Sequence, residues 1–274
     1  MKLTLSFSPC PNDTYIFEPI VNKRIDLKGF EFDIKLEDVE NLNKAALLKR
    51  PDISKISFNA FTKLYNDYQL LDCGSALGTN CGPLLISKND IHDSEIKNKK
   101  IAIPGYNTTA FLLLKYAYPE IHNFEEILFS DIENSIIEGR VDAGVIIHEN
   151  RFTYQEKGLR KIIDLGSYWE DKTGSPIPLG GIAVRRSLPE MVKKQINIIL
   201  SESIAYAFDH PKSGMEFIKN HAQEMAENVM LSHINLYVNE FTKNLGQDGK
   251  KAIQTLFKIV IPDWNTRKSD LFVE

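Results

Sequence analysis

The chain has 274 residues and a formal net charge of -4, with 33 Lys and Arg against 37 Asp and Glu. Hydrophobic residues make up 43% of the chain and charged residues 26%, which is typical of a globular protein rather than a collagen-like, disordered or repeat protein. The length exceeds what one small core organises, so we expect one large domain or two of ordinary size. Because no excess of positive charge is present to hold phosphate groups, nucleic acid is not an expected partner.

The location of the protein is suggested by its apolar stretches and its cysteines. No stretch reaches the roughly 18 to 20 apolar residues that a membrane helix needs, so we expect no membrane insertion. Residues 1–7 alternate apolar with polar side chains, as a strand does and a signal peptide does not. Cys10, Cys73 and Cys81 are odd in number and form no CxxC pair, which argues against a disulfide framework or a structural zinc site. We therefore expect a cytoplasmic protein without a metal centre.

Strand and helix patterns alternate in the first part of the chain. Strands are predicted at residues 3–7, 30–36 and 52–56, and helices at 13–20, 39–49 and 59–65. Ser57 directly follows the third strand, and its hydroxyl is expected to cap the next helix. Three such steps favour a largely parallel sheet that binds ligands at the carboxyl ends of its strands.

A second set of elements interrupts the first and predicts two lobes. Strands are predicted at residues 83–87, 101–103, 141–147, 162–165 and 182–184, a charged turn at 91–100, and helices at 110–118, 132–138, 190–208, 212–221 and 247–259. This pattern predicts an α/β fold in which a small lobe, residues 91–179, is inserted into a large lobe of residues 1–90 and 180–274. We expect a hinged cleft between the lobes, which suits a small polar ligand because closure expels water.

Three strand-to-helix junctions carry small hydroxyl side chains, at residues 8–14, at Ser57 and at residues 106–109. Backbone N–H groups and the positive end of the helix dipole attract a carboxylate or phosphate at such a junction. Ser and Thr are also the usual helix caps, so each junction has a purely structural alternative. We expect that at least one of the three binds an anionic ligand.

His148 follows an apolar run at the carboxyl end of a predicted strand, where open α/β sheets bind their ligands. A histidine there is either a satisfied polar side chain or a general base. Asp142 and Glu149 are close in sequence, but neighbours on a strand point to opposite faces, so neither is assigned as its partner. The other histidines show no HxxxH or HExxH spacing, and the chain has no GxxxxGK[ST], GxGxxG or GxSxG motif. A metal or a nucleotide is therefore not expected.

Several long segments carry a family resemblance. They are Ser8–Phe17 with the sequence SPCPNDTYIF, Asp52–Ser57, Gly105–Ala110, His148–Tyr154, Pro178–Gly181 and His233–Asn239. Together they resemble the 1,4-dihydroxy-6-naphthoate synthases of the futalosine route to menaquinone, and the resemblance covers nearly the whole chain. One departure is Asn59, where relatives often carry His or Gly.

This resemblance implies a type 2 periplasmic-binding-protein fold and a cofactor-free lyase that releases 1,4-dihydroxy-6-naphthoate from cyclic dehypoxanthine futalosine. The family's general base falls on His148. Its substrate-binding segments fall on Lys55, Ile56 and Ser57 and on Thr108, Thr109 and Ala110. We also expect Asp13, Thr14, Thr79 and Asn80 to line the cleft.

The implied chemistry suits these residue types, because a neutral imidazole with a pKa near 6.5 can remove a proton activated by a carbonyl group. The partner is then a small-molecule carboxylate. A non-catalytic small-anion binding protein of the same fold is the alternative, and it predicts an export signal and a ligand recovered unchanged. A ligand-sensing domain of a regulator is a third hypothesis, which predicts a DNA-binding module with a basic face.

Overall fold

The computed structural model describes residues 1–222, 226–264 and 270–273. In this part of the chain the strands are β1 (Lys2–Phe7), β2 (Glu31–Leu36), β3 (Ile53–Ser57), β4 (Tyr68–Leu70), β5 (Ala76–Gly78), β6 (Leu84–Ser87), β7 (Ile101–Ile103), β8 (Phe124–Glu126), β9 (Ala143–Ile146), β10 (Arg160–Asp164) and β11 (Ile177–Arg185). Strands and helices alternate along most of the chain, so the α/β class predicted from the sequence is confirmed.

The helices are α1 (Pro11–Val21), α2 (Val39–Leu47), α3 (Phe58–Leu64), α4 (Asp93–Ile96), α5 (Thr109–Ala117), α6 (Ile132–Ile137), α7 (Asn150–Thr153), α8 (Leu165–Thr173), α9 (Glu190–Asp209), α10 (Met215–His221), α11 (Glu227–Tyr237), α12 (Glu240–Lys243) and α13 (Gly246–Val260). Two short 3-10 helices span Phe129–Asp131 and Tyr154–Lys157. Among the described residues, no helix is both long and apolar enough to cross a bilayer.

The chain forms two compact units. The first unit contains Met1–Gly78 and Pro178–Glu274, and the second contains Thr79–Ile177. The sequence predicts these divisions near residues 90 and 180. The first division of the structure comes earlier because β6 pairs with β9 and β10 of the second sheet.

The sheet of the first unit has the strand order β2-β1-β3-β11-β4, and β5 pairs with β11. β1 runs parallel to β2 and β3, whereas β11 runs antiparallel to β3 and β4. The carboxyl ends of β1, β2 and β3 therefore meet at one edge, as the three strand–helix steps predict. Helix α1 begins at that edge, four residues after β1 ends.

The core of the first unit lies between its sheet and the helices α1 and α9. The Phe7 and Phe17 rings stack with their centroids 4.4 Å apart, which joins β1 to α1. Ile199, Leu200 and other residues of α9 belong to the same apolar cluster. Burial of each apolar side chain of this size contributes about 1.5 to 3 kcal/mol to the free energy of unfolding. This packing therefore holds α1 firmly against the sheet.

The sheet of the second unit has the order β10-β6-β9-β7-β8. β7 runs parallel to β8 and β9, and β6 runs antiparallel to β9 and β10. Helix α6 packs against β9, where Ile132 and Ile136 join the apolar core of this unit. His148 comes two residues after β9 ends, so the sheet carries it close to its carboxyl edge.

Two predicted segments have a different structure. The residues Pro178, Gly180 and Gly181 were expected to precede a short return strand, but they lie inside the long strand β11. A Cβ atom on Gly180 would lie 2.7 Å from the Ile56 carbonyl oxygen, so glycine permits close strand pairing there. Residues 91–100 were predicted to form a turn, yet they include the one-turn helix α4.

Candidate functional site

The first group of site residues lies where β1 and β3 end side by side. Ser6 of β1 pairs with Ser54 of β3, so the residues that follow each strand emerge at the same edge. Ser8 follows β1 and Lys55 follows Ser54. Both residues are buried, so their polar groups need hydrogen-bond partners within the protein.

Asp13 and Lys55 form a buried ion pair at this edge. The Lys55 Nζ atom lies 2.8 Å from Asp13 Oδ1, with side-chain exposures of 8% and 1%. Lys55 also donates to the Gly74 carbonyl oxygen at 3.3 Å. The second Asp13 oxygen accepts from the Ser8 hydroxyl at 2.7 Å and from the Ser8 N–H at 3.2 Å. These contacts use both carboxylate oxygens to hold neighbouring groups, which favours a structural role for Asp13 over proton transfer.

Asn12 connects this ion pair to a distant helix. Its Nδ2 group donates to Asp13 Oδ1 at 2.8 Å, and its Oδ1 atom lies 2.8 Å from Nε2 of His233. His233 belongs to α11 and is 0% exposed. His233 lies in a segment that carries the family resemblance, but nothing local in the sequence relates it to Asn12.

Ser57 ends β3, but it does not cap α3 as the sequence predicts. No side-chain hydrogen bond joins the Ser57 hydroxyl to the first turn of that helix. Its Oγ atom instead accepts from Asn43 Nδ2 at 3.0 Å, while its N–H donates to Asn43 Oδ1 at 2.9 Å. The two-way bond to a buried asparagine of α2 fixes Ser57 more firmly than a cap alone. Ile56 beside it is fully buried.

Thr14 lies in the first turn of α1 and is 0% exposed. Its hydroxyl donates to the Cys10 carbonyl oxygen at 3.0 Å, so this group bonds to its own helix. Thr79 and Asn80 lie at the start of the second unit and are exposed. The Asn80 N–H donates to the Glu170 carboxylate at 2.7 Å. These three residues are placed by the fold, and their part in ligand binding stays a prediction.

In the second unit, His148 has an unusual backbone conformation. Its φ angle is +60°, which is uncommon for a residue other than glycine and costs of order 1 kcal/mol or more. The imidazole meets the buried Phe129 ring edge to face, with centroids 4.9 Å apart. The left-handed turn and the aromatic contact together orient the imidazole beyond the end of β9. Backbone strain of this kind concentrates at functional sites.

Glu149 is the carboxylate that approaches His148. A carboxylate oxygen of Glu149 and a ring nitrogen of His148 lie within 4.8 Å of each other, and Glu149 is 2% exposed. The sequence assigns His148 no partner, because neighbours on an extended strand point to opposite faces. In the structure His148 follows β9 with a positive φ, so this rule for strands does not apply to it.

The segment after His148 is anchored by buried charge. Asn150 donates to the Glu133 carboxylate at 2.5 Å, and the Lys157 ammonium lies 2.6 Å from the same oxygen. Arg151 donates to the Gly82 carbonyl oxygen at 2.6 Å and to Asp164 at 3.3 Å. These bonds tie both ends of a short segment to the body of the second unit, so the position of His148 is held from its carboxyl side.

Thr108 is the cap of α5, which begins at Thr109. Its hydroxyl accepts from the Phe111 N–H at 3.2 Å and donates to the Gly105 carbonyl oxygen at 2.7 Å. Thr109 and Ala110 occupy the first turn and are buried. The N–H groups of a first turn have no carbonyl partner within their own helix, and the binding of an anion at this junction stays a prediction.

The cysteines Cys10, Cys73 and Cys81 are buried and form no disulfide bond. Burial raises the pKa of the Cys73 thiol well above its usual range and raises the pKa of Cys81 to about 12. Because the thiolate is the reactive form, Cys73 and Cys81 are not nucleophiles near neutral pH.

A family model and two curated relatives are similar to this chain over nearly its whole length. A family model described as menaquinone biosynthesis matches residues 3–261. The chain is 38% identical over 255 residues to a 1,4-dihydroxy-6-naphthoate synthase from Thermus thermophilus, covering 93% of this chain and 92% of that one. It is 37% identical over 259 residues to the enzyme of the same name from Streptomyces coelicolor, covering 93% and 91%.

Solved structures share the fold. A crystal structure of an Archaeoglobus fulgidus protein matches with a TM-score of 0.88 and 30% identity, over 94% of this chain and 96% of that one. A Candida albicans protein described as having the generic periplasmic binding protein fold matches with a TM-score of 0.67 and 14% identity, over 100% and 98%. The periplasmic-binding-protein fold implied by the family resemblance is thus confirmed.

Proposed function

The chain belongs to the menaquinone-biosynthesis family, and from this premise we propose that it converts cyclic dehypoxanthine futalosine into 1,4-dihydroxy-6-naphthoate. The two relatives named 1,4-dihydroxy-6-naphthoate synthase each align with 93% of the chain. The reaction is a lyase step that separates the naphthoate from a sugar-derived remainder. We place it in the cytoplasm, a reducing compartment that suits cysteines that form no disulfide bond.

His148 is proposed as the general base. The observation that supports this role is the left-handed backbone of His148 at the end of β9, since strain there is retained where a side chain must point in one direction. A neutral imidazole takes the proton that a neighbouring carbonyl group acidifies. The aromatic product supplies driving force, and the buried Glu149 carboxylate stabilises the imidazolium that forms.

Two segments are proposed to bind the substrate, Lys55, Ile56 and Ser57 together with Thr108, Thr109 and Ala110. Asp13 neutralises the Lys55 ammonium at 2.8 Å, so this lysine adds no net charge toward an anion. We therefore assign the substrate carboxylate to the first-turn N–H groups of α5, which attract negative charge through the helix dipole. We assign the contacts with the hydroxyl groups of the substrate to Lys55, Ile56 and Ser57.

The activity is tested by incubating the purified protein with cyclic dehypoxanthine futalosine and detecting the naphthoate by mass. Formation of the naphthoate supports the proposal. Recovery of a bound but unchanged substrate would instead support a small-anion binding protein of the same fold.

The role of His148 is tested by His148→Asn, which keeps a polar side chain but removes the basic nitrogen. We expect turnover to fall by roughly 10²- to 10⁴-fold, the usual contribution of a general base, while substrate binding persists. Turnover of the unaltered protein should decline as acid protonates the base, and the variant should lack this decline. The exposed His122 of the same unit provides a control, because His122→Asn should leave turnover unchanged. Near-normal turnover in His148→Asn would remove His148 from the mechanism.

A further inference from the structure

A continuous chain of polar contacts joins α11 to the end of β3 in the first unit. It runs from His233 Nε2 to Asn12 Oδ1 at 2.8 Å, and from Asn12 Nδ2 to Asp13 Oδ1 at 2.8 Å. The same Asp13 oxygen lies 2.8 Å from Lys55 Nζ. These four residues are distant in sequence except for Asn12 and Asp13, so only the fold brings them together.

The direction of each hydrogen bond follows from the ion pair. Asp13 faces an ammonium group and is therefore a carboxylate, which can only accept hydrogen bonds. The amide nitrogen of Asn12 must then face Asp13, because the opposite orientation would place two acceptors 2.8 Å apart. The Asn12 oxygen consequently faces His233, and Nε2 of His233 must carry a proton and donate.

Burial makes this chain sensitive to the loss of any link. His233 is 0% exposed, Asp13 1%, Lys55 6% and Asn12 8%, so water has little access to replace a missing partner. Without the His233 donor, the Asn12 oxygen loses the contact that fixes its amide orientation. A rotated amide would turn its oxygen toward Asp13 and disturb the contact between that carboxylate and Lys55.

We propose that His233 is a positioning residue for the substrate-binding end of β3. It orients the Asn12 amide, the amide supports the Asp13 carboxylate, and the carboxylate holds Lys55 beside Ile56 and Ser57. This inference rests on the proposed function, because it takes those three residues to bind the substrate. His233 is fully buried, and the proposed role is exerted through Asn12.

The first experiment measures the imidazole tautomer, which does not depend on enzymatic activity. Nitrogen NMR of histidine-labelled protein should show that His233 carries a proton on Nε2, and His233→Gln identifies its signals by their loss. A His233 ring protonated on Nδ1 alone would overturn the proposal.

The second experiment compares His233→Leu with His233→Gln. Leu removes the donor, whereas the Gln amide presents an N–H group at nearly the same distance from the backbone as Nε2. We expect Leu to raise KM by roughly 10-fold or more with less than about a 3-fold change in kcat, and Gln to restore KM to within about 3-fold. His221 belongs to α10 and contacts the carbonyl oxygen of Phe217 in its own helix, so His221→Leu serves as the matched control.

Two outcomes of that comparison would overturn the proposal. The first is an unchanged KM in His233→Leu, and the second is equal damage by Leu and Gln, which would assign the effect to packing of the ring. If His233→Leu fails to fold, His233→Asn, whose amide is too short to reach, takes its place. An unaltered protein that forms no naphthoate would reject the proposed function instead, and the tautomer would still decide the direction of the hydrogen-bond chain.

A third experiment tests whether His233 and Asn12 act through one chain. Asn12→Leu cuts the next link, so it should raise KM to a similar extent. The double variant His233→Leu/Asn12→Leu should then be no worse than the more severe single variant, because both changes interrupt the same contacts. Effects that multiply in the double variant would mean that the two residues act separately, contrary to the proposal.

Discussion

At the scale of single residues, Asp13 and Lys55 form a buried ion pair beside Ile56 and Ser57, which we propose contact the substrate. Two ions are removed from water there, and the ammonium is compensated by one carboxylate at 2.8 Å. Burial of an ion pair is tolerated only when hydrogen bonds satisfy its other atoms. Ser8 and Asn12 donate hydrogen bonds to the Asp13 carboxylate, so the ion pair depends on these two neighbouring residues.

We expect Asp13→Asn to lower the free energy of unfolding by about 3 to 5 kcal/mol, because it leaves the Lys55 ammonium buried without a counter-charge. Urea denaturation of the two proteins measures the difference. The double variant Asp13→Asn/Lys55→Met should recover much of the loss, since it also removes the unpaired charge. A loss below about 1 kcal/mol in Asp13→Asn would contradict the importance of this pair.

The buried thiol of Cys81 gives a prediction for alkaline pH. Its pKa is about 12 in the folded chain and about 9 when exposed. The thiol is therefore neutral in both states below pH 9, and between pH 9 and 12 only the unfolded state ionises. The free energy of unfolding should fall in that range with a slope approaching about 1.4 kcal/mol per pH unit. Urea denaturation at several pH values should show a shallower decline for Cys81→Ala, and equal slopes would refute this assignment.

His148 was found from the sequence because it follows an uninterrupted apolar strand, which is a local signal. The closeness of Glu149 to His148 is not predicted, because a backbone with φ of +60° cannot be inferred from an alternating pattern. The link between Asn12 and His233 was missed for a different reason. It joins positions separated by most of the chain, and residue periodicity carries no information about such contacts.

At the scale of elements, the start of α5 combines a helix cap with a junction that we propose binds the substrate. The Thr108 hydroxyl accepts from the Phe111 N–H in the first turn of α5 and donates to the Gly105 carbonyl oxygen in the preceding turn. Replacing Thr108 and Thr109 by Val together would therefore change stability as well as binding. The two roles need separate variants.

We expect Thr108→Val to lower the free energy of unfolding by about 1 kcal/mol, the usual cost of losing an N-cap hydroxyl. Thr108→Ser keeps the hydroxyl and should remain close to the unaltered protein in a urea denaturation series. Equal stability of the Val and Ser variants would show that the cap contributes nothing measurable. Thr109→Val leaves the cap in place and is the cleaner variant for substrate binding.

Elements with long apolar runs or clear caps were predicted well from the sequence, as β1, β9 and α5 illustrate. The three-residue strands β4 and β5 are too short for an alternating pattern to be recognised. The start of β11 was missed because Pro178, Gly180 and Gly181 are residues typical of turns. Gly180 is needed for close approach to Ile56 rather than for a turn, and this reason is visible only in the paired strands.

At the scale of the whole molecule, the fold and the function rest on different observations. Alternating strands and helices predict the α/β class, and solved structures share the periplasmic-binding-protein fold at 14% identity. Such a fold serves many activities, so it does not select an enzyme over a binding protein. The family match over residues 3–261 makes that selection.

The insertion of one unit into the other also has a consequence for how the chain acquires its structure. Ser57 of β3 pairs with Gly180 of β11, so the first sheet stays incomplete until ribosomal synthesis has passed the entire second unit. Thr79–Ile177 is continuous in sequence and can collapse while the rest is still emerging. Early collapse would draw its two ends together and shorten the effective loop that β3 and β11 must close, which lowers the entropy cost of that late pairing.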